Sequence, residues 1–418
     1  MKNRDNIILN NIIVSGNVVE YDFSVTPKLQ KYFKTNRLII EYNHDISNIP
    51  ESILSIPFIG SFMAFAWITN SVMWVQEIDA SFYNAIPNIK RTYQEIYYYY
   101  NLNGRIVPSI VTNNSIKEPS HSAMLLLGGG VDANASFIRN KDHISSLCNI
   151  QGWYNNINDV DIAAEAEFDY TTNFSAKFDK TPILVKSNFA KVITNAFDKK
   201  YKHKLGDTWW HGFSHSMSFI SIAIPIAYKL GVTQIIIASS LTTGLNHLCA
   251  SNSTTDNEFR YANLGHIFHD GFELHRQNKV KIIVDFQQQI NKPYYLKVCS
   301  FNNKNCCKCE KCLRTILGII AENANPRDFG FEIQEDITIH WKKVLAENIA
   351  LMGFDSEKVI HWPHIKKRMR ENYNLMTEEA QNFVDWFISF NFDEAKRKAI
   401  LKYYYSNFFS ILKRKLQI

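Results

Sequence analysis

Short apolar runs that alternate with helical patterns occupy the middle of the chain. Ala123–Leu127 is entirely apolar and runs into three glycines, which is typical of a buried parallel strand entering a turn. Further strand candidates lie at 143–148, 182–186 and 234–238, with apolar positions spaced by three and four between them. Strands that alternate with helices predict a parallel sheet with right-handed crossovers. We therefore expect an α/β domain over residues 119–325.

The flanking segments have other patterns. Residues 1–118 begin with alternating strand-like runs and end with a helical pattern, so we expect an N-terminal mixed α+β domain. A turn at Thr69–Ser71 between two apolar runs predicts a β-hairpin rather than a membrane helix. Lys279–Phe286 has the composition of another strand. Residues 326–418 have a helical, amphipathic and basic pattern, which predicts a helical C-terminal region.

Composition narrows the class of protein. The chain has 418 residues, of which 46% are hydrophobic and 21% charged, so it can bury two or three cores and is not a disordered chain. The net charge is +6, too small by itself to imply a nucleic-acid partner. Eleven of the 46 basic residues and six of the 40 acidic ones fall in 361–418. Basic groups with interleaved aromatics there could bind RNA, or could form a helical face packed on the protein.

The N-terminus favours an intracellular protein. Lys2, Arg4 and Asp5 interrupt the first residues, and no continuous apolar segment typical of a secretory signal follows them. We expect a cytoplasmic protein without a membrane partner, and a homodimer stays open.

Five of the seven cysteines lie within fourteen residues. Cys299, Cys306, Cys309 and Cys312 have a spacing at which four thiolates can surround one tetrahedral zinc ion. A four-iron cluster is the competing interpretation, but no further cysteine follows the run, which favours zinc. A closed four-thiolate site would be structural. Cys307 is an extra cysteine that could be free, buried or an alternative ligand.

Gly128, Gly129 and Gly130, here called the glycine turn, precede a short helical stretch. Successive backbone N–H groups at such a turn, together with a helix N-terminus, can bind phosphate. The sequence is neither a Walker loop nor a dinucleotide fingerprint. It resembles the PP-loop of ATP pyrophosphatases, Ser-Gly-Gly-x-Asp-Ser, with Asp132 matched and with Gly128 and Ala133 in place of the two serines. Without those serines, the turn lacks two hydroxyl donors to phosphate.

The order of the motifs carries a wider resemblance. Over roughly residues 120–322 the chain is similar to the 7-cyano-7-deazaguanine synthase (QueC-like) family, in which a PP-loop is followed by alternating strands and then by four cysteines before a helix. That resemblance implies a HUP-type (adenine nucleotide alpha hydrolase-like) parallel sheet. It also implies ATP at Gly128–Gly130 and Ala133, Mg²⁺ near Asp132, and a structural Zn²⁺ on the four cysteines. The flanking segments have no counterpart in that family, so we expect a different substrate.

Further site candidates follow the other predicted strands. Because ligands lie at the carboxyl ends of strands in open α/β sheets, Ser187, Ser239 and Ser240 are expected beside the nucleotide. His269 and Glu273, four apart on a predicted helix, could act as an acid/base pair, and Arg276 could bind a carboxylate or phosphate. Ordinary ion pairs on a solvated helix face would give the same pattern.

These features predict an ATP-dependent, adenylate-forming ligase or amidating enzyme. It would act on a nucleobase-like or other small substrate and release pyrophosphate and AMP. Two alternatives stay open: an RNA- or protein-binding module with a weakened PP-loop, and a tRNA-modification protein. If the partner is a nucleic acid, the basic C-terminal region is where it could bind.

Overall fold

The computed structural model describes residues 4–158, 162–242, 249–299, 304–333, 335–348 and 361–391, with scattered positions up to 401. These residues form an α/β protein with one large sheet, in which parallel pairs outnumber antiparallel ones. The chain divides into two compact units, Met1–Leu274 and His275–Ile418. The α/β expectation is confirmed. No helix in the described part of the chain combines the length and apolarity that crossing a bilayer requires.

The sheet lies in the first unit and has eleven strands. They are β1 (Asn6–Ser15), β2 (Val18–Val25), β3 (Arg37–Tyr42), β4 (Val72–Asp79), β5 (Arg105–Thr112), β6 (Ala123–Leu126), β7 (Ile144–Gln151), β8 (Thr181–Ser187), β9 (Gln234–Ala238), β10 (Arg260–Tyr261) and β11 (Gly265–Asp270). Their order across the sheet is β10-β11-β9-β6-β7-β8-β3-β2-β1-β4-β5.

Helices connect these strands. Those of the first unit are α1 (Pro27–Gln30), α2 (Glu51–Leu54), α3 (Ile56–Thr69), α4 (Ala80–Ile96), α5 (Val131–Asn140), α6 (Ile162–Lys177), α7 (Phe189–Val192), α8 (Asn195–Leu205), α9 (His215–Lys229) and α10 (Ser253–Asp256). A π-helix, Trp209–Ser214, leads directly into α9. Helices α3 and α9 pack so closely at Gly60 that a Cβ there would overlap the side chain of Ser221.

β1, β4 and β5 pair in parallel at one edge of the sheet. A second parallel run consists of β6, β7, β8, β9 and β11. Numbered in chain order, these strands run 3-2-1-4-5 across the sheet, so β6 lies in the centre with β7 on one side and β9 on the other. The direction of winding reverses between β6 and β9. In doubly wound sheets the ligand crevice lies at this point, outside the carboxyl ends of the strands.

The N-terminal strands extend the same sheet. β3 pairs antiparallel with β8 from Ile40 opposite Ser187 to Tyr42 opposite Val185. The Tyr42 hydroxyl donates to the carbonyl of Ile222 in α9 at 2.9 Å. Strands from both sides of residue 118 therefore share one hydrogen-bonded sheet and one core.

Two local predictions were wrong. The apolar run before Thr69–Ser71 is helix α3, not the first strand of a hairpin, and Asn70 ends it in a left-handed conformation with φ of 57°. All its residues from Ile56 to Ile68 are buried, so the run carries no amphipathic pattern that would have identified a helix. Lys279–Phe286 lies within a helix of the second unit, because its buried side chains recur at helical spacing.

The second unit is helical. It contains α11 (Arg276–Ile290), α12 (Glu310–Ala321), α13 (Ile337–Asn348), α14 (His361–Asn372) and α15 (Glu378–Ser389). Glu322, just beyond α12, accepts a hydrogen bond from Gln277 at 2.7 Å and forms an ion pair with Arg368 at 3.1 Å. The basic segment Lys366–Arg370 lies in α14, and the predicted basic and aromatic groups in 402–418 lie outside the described residues.

Candidate functional site

The glycine turn links the central strand β6 to α5, as predicted. Leu127 N donates to the carbonyl of Cys148 at 2.8 Å, which holds the start of the turn against β7. Gly129 has φ of 72°, a left-handed conformation that favours glycine, and Gly130 is the N-cap of α5. No side chain caps this helix, and a Cβ on Gly128 or Gly130 would meet no atom within 4 Å. The turn thus offers backbone N–H groups and space at the positive end of a helix.

Asn134 holds the turn from inside the protein. Its fully buried amide donates to the carbonyls of Gly129 at 2.8 Å and Gly130 at 2.9 Å, and its oxygen accepts from the Tyr170 hydroxyl at 3.2 Å. Burial raises the pKa of Tyr170, so the phenol stays protonated and donates. Because the carbonyls point inward to Asn134, they are kept away from an anion. We missed this residue, although an amide within one helical turn of a glycine run was visible in the sequence.

Asp132 and Ala133 lie in the first turn of α5 and are half-buried. This position suits a carboxylate, since the first turn of a helix favours negative charge. Ala133 contributes no side-chain donor. If an anion binds here, the backbone N–H groups must therefore supply the hydrogen bonds that the two serines of the PP-loop motif would add.

The other end of α5 is tied to β11. Ser136 Oγ donates to Asp270 Oδ2 at 2.6 Å. Arg139 lies 3.5 Å from Asp270 Oδ1 and 2.6 Å from Glu273 Oε1. Glu273 is thus the ion-pair partner of Arg139, in the turn after β11. The prediction that His269 and Glu273 share a helix was wrong, because His269 lies in β11 and Glu273 in the turn that follows this strand.

His269 pairs instead with Asp256. Its Nδ1 lies 2.8 Å from Asp256 Oδ2, and neither side chain has any exposed surface. Within the described residues, His269 Nε2 and Asp256 Oδ1 have no hydrogen-bond partner. His215 lies near this pair: burial lowers its pKa, and the charge of Asp256 opposes that shift. The interior between β11, α9 and α10 therefore contains a polar pair that sequence spacing did not predict.

The serine candidates lie at strand ends, as expected, but two are used by the fold. Ser187 Oγ donates to Ile39 O at 2.8 Å and accepts from Phe189 N at 3.2 Å. Ser239 N donates to Asp270 O at 2.8 Å, and its hydroxyl donates to Leu241 O at 2.8 Å. Ser240 is exposed. Arg276 is the first residue of α11 and belongs to the second unit.

The second unit contains the cysteine cluster. The sulfurs of Cys299, Cys306, Cys309 and Cys312 all lie within 4.8 Å of one another, with Cys306 and Cys312 3.9 Å apart. Cys309 is the N-cap of α12 and Cys312 lies in its first turn, so the positive end of the helix faces the cluster. Hydrogen bonds from Cys309 and Cys312 hold the pKa of Cys306 far below its ordinary value. Backbone N–H groups of Cys306 and Cys309 also reach cluster sulfurs, at 3.3 and 3.2 Å.

Cys307 stands apart from this cluster. Its side chain is buried and donates to the carbonyl of Asn305 at 3.6 Å. Burial raises its pKa to about 11. His340 contacts the carbonyl of Cys307 rather than its sulfur, at 2.8 Å. Cys307 thus lies between the ligand candidates Cys306 and Cys309 in the sequence, while its own side chain points into the protein.

The sulfur spacing tests which metal centre fits. Four sulfurs about 2.3 Å from a tetrahedral ion lie roughly 3.8 Å from one another. The 3.9 Å between the sulfurs of Cys306 and Cys312 matches one ion such as zinc, and no pair of sulfurs in the cluster is more than 4.8 Å apart. A four-iron cluster would hold its sulfurs farther apart, because each cysteine binds a different iron. The four cysteines could therefore hold a metal such as zinc, with no ligand position left for substrate.

No protein-family profile and no curated protein matches the chain. The glycine turn of the first unit and the cysteine cluster of the second are thus the features from which function can be inferred. The first has the shape of an anion site, and the second has the donor set of a structural metal site.

Proposed function

We propose that the protein binds ATP at the glycine turn and is an adenylate-forming, QueC-like ligase or amidating enzyme. The observation that carries the proposal is the position of the turn. It follows the central strand of a 3-2-1-4-5 parallel sheet, next to the point where winding reverses, and Gly128 and Gly130 face open space. This strand order is also what a HUP-type sheet requires, and we assign the core to that type.

The roles of the residues follow from this placement. The N–H groups of the turn and of α5 bind the polyphosphate, because they converge at the positive end of the helix. Mg²⁺, when bound, would neutralise charge on the phosphates, and Asp132 is the carboxylate that could hold it. Arg139 keeps α5 fixed to the end of β11 through Asp270 and Glu273. The C-terminal half of α5 is thereby tied to β11.

The reaction would begin with attack of a substrate carboxylate or amide oxygen on the α-phosphorus of ATP. The bond between the α- and β-phosphates breaks, and pyrophosphate leaves with its charge stabilised by the turn. A nitrogen nucleophile then attacks the activated carbon and releases AMP. The substrate is a nucleobase-like or other small molecule with such an oxygen. Zinc on the four cysteines stabilises the second unit and takes no part in these steps.

Gly128→Val tests the site directly. Gly128 has no positive φ and its Cβ would meet no atom, so the variant should fold while its side chain fills the space assigned to phosphate. We expect calorimetry to detect Mg–ATP binding to the native protein and not to Gly128→Val, with unchanged thermal stability. Asp132→Asn should weaken Mg–ATP binding by about tenfold or more, since a hydrogen bond to a charged group contributes ~1.5–3 kcal/mol.

Asp142→Asn is the matched control. Asp142 lies just beyond the opposite end of α5, is exposed and pairs with Lys141 at 2.9 Å, so this variant should bind Mg–ATP normally. Equal binding by native protein and Gly128→Val would overturn the assignment of the site. Binding without formation of AMP and pyrophosphate from any carboxylate or amide substrate tested would instead favour a weakened PP-loop protein.

A further inference from the structure

A second charged surface lies in the first unit, away from the basic C-terminal segment in the sequence. It is formed by α8 and by two short segments beside it, and all its lysines are exposed. We call it the α8 basic face. Its members are Lys31, Lys34, Lys191, Lys199, Lys200, Lys202 and Lys204.

Contacts within the fold bring these lysines together. Lys31 Nζ lies 5.2 Å from the centroid of the Tyr32 ring, and Lys200 Nζ lies 5.7 Å from the same ring. Lys34 N donates to the carbonyl of Val192 at 2.8 Å, and Thr194 N donates to that of Tyr32 at 2.8 Å. Residues 31–34 therefore run alongside the segment that leads into α8, and their charges join those of the helix.

Little negative charge offsets this surface. In the part of the chain that the structure describes, none of the seven lysines forms an ion pair. Asp198 is the one acidic residue of α8, and its carboxylate accepts from Trp209 N at 2.7 Å. The Lys34 ammonium donates to Asn155 Oδ1, a neutral partner, at 2.7 Å. The charge of the face is thus available to a ligand.

Helix stability does not explain this concentration of charge. Lys202 and Lys204 in the last turn of α8 interact favourably with the helix dipole. That argument does not cover Lys34, which lies outside any helix, or Lys199, which lies in the middle of α8. Lys200 and Lys204 are four residues apart, an arrangement in which like charges destabilise a helix. The clustering therefore suits an anionic ligand better than it suits folding.

Exposed aromatic rings adjoin the end of α8. Tyr98 is 78% exposed and Tyr99 is 46% exposed, with their rings 5.3 Å apart. The Tyr99 hydroxyl donates to the carbonyl of Leu205, the last residue of α8, at 2.7 Å. Exposed lysines beside exposed aromatic rings are the combination that binds the phosphates and stacks the bases of a single strand.

We propose that the α8 basic face binds single-stranded nucleic acid, with lysines on the phosphates and Tyr98 stacked on a base. This function is separate from ATP binding at the glycine turn. Unpaired bases are required, because in a duplex they would not be free to stack on Tyr98. An anionic membrane would attract the lysines but gives the tyrosines no base to stack on.

Fluorescence anisotropy with the full chain and a labelled 15-nucleotide oligo(U) tests this, with oligo(dT) as a second probe. Six phosphate contacts give a slope of log affinity against log salt of about −4, so affinity should fall roughly 300-fold between 50 and 200 mM salt. The triple variant K199E/K202E/K204E should lose most of the affinity and about half of the slope. Tyr98→Ser should weaken binding about fivefold or more without changing the slope.

The matched control is K343E/K367E/R370E. It changes the net charge by the same amount on exposed residues of α13 and α14. We expect this control to bind the oligonucleotides as well as the native protein does, and K199E/K202E/K204E to lose most of that binding. The opposite pattern, or no binding of either oligonucleotide at 50 mM salt, would overturn the proposal. So would binding only to vesicles that contain phosphatidylserine.

Discussion

The adjacent residues Cys306 and Cys307 offer a sharp test of the metal site. Cys306 lies 3.9 Å from Cys312 within the cluster, whereas Cys307 is buried outside it with its pKa raised to about 11. We expect Cys306→Ser to remove a ligand and Cys307→Ser to leave all four in place. The two variants make the same atomic change at neighbouring positions, so a general effect of losing a thiol cancels between them.

The magnitude follows from the coordination. Structural zinc sites in small domains contribute about 10–16 kcal/mol to folding, comparable with the whole stability of a domain. Loss of one of four ligands should therefore abolish or strongly lower the thermal transition of the unit His275–Ile418. Cys307→Ser replaces the weak thiol donor to Asn305 O by a hydroxyl and should cost only about 1 kcal/mol.

Metal analysis by mass spectrometry and scanning calorimetry provide the measurements. The native protein and Cys307→Ser should each contain one zinc per chain, without the visible absorption of an iron–sulfur centre. Cys306→Ser should contain far less. A full zinc complement in Cys306→Ser, or its loss in Cys307→Ser, would refute the ligand assignment, and iron with a brown colour would refute the choice of metal.

Three further outcomes are expected. Asp256→Ala leaves its buried partner His269 unpaired and should lower the free energy of unfolding by about 3–5 kcal/mol. Replacing both residues by Leu should lower it less, and denaturant titrations that show the reverse order would contradict the pairing argument. Asn134→Ala removes the donor to two carbonyls of the glycine turn, so urea unfolding should show a free energy of unfolding lower by ~2–4 kcal/mol. A decrease under about 0.5 kcal/mol would be inconsistent with the role of Asn134 in holding the turn. Because burial lowers the pKa of His215, the unfolded chain takes up a proton at this residue before the folded protein does, and the free energy of unfolding should fall as the pH drops below 6.5. His215→Gln should flatten this dependence of stability on pH, and the exposed control His203→Gln should not. Identical pH profiles for the two variants would exclude a contribution from His215.

The parallel core could be predicted because its strands are buried on both faces. Continuous apolar runs such as Ala123–Leu127 mark such strands, and the glycines after that run mark its turn. The cysteine cluster was equally visible, since its cysteines lie close in sequence and three of them bracket the start of α12. In each case local sequence carries the information.

The remaining features depend on contacts between distant residues. His269 and Asp256 are thirteen residues apart and meet only because β11 returns beside α10. The junction between β3 and β8 joins segments more than 140 residues apart, and no local pattern indicates it. Helix α3 was missed for a different reason, because full burial removes the periodicity by which a helix is recognised.

The continuous sheet has a consequence for synthesis of the chain. β3 is complete at Tyr42, but its partner β8 begins only at Thr181, so the edge of β3 stays without its neighbour while more than 130 further residues emerge from the ribosome. Pairings of such long sequence separation form slowly, and an open strand edge can recruit another chain. The nascent protein is therefore open to aggregation at this edge until β8 is made.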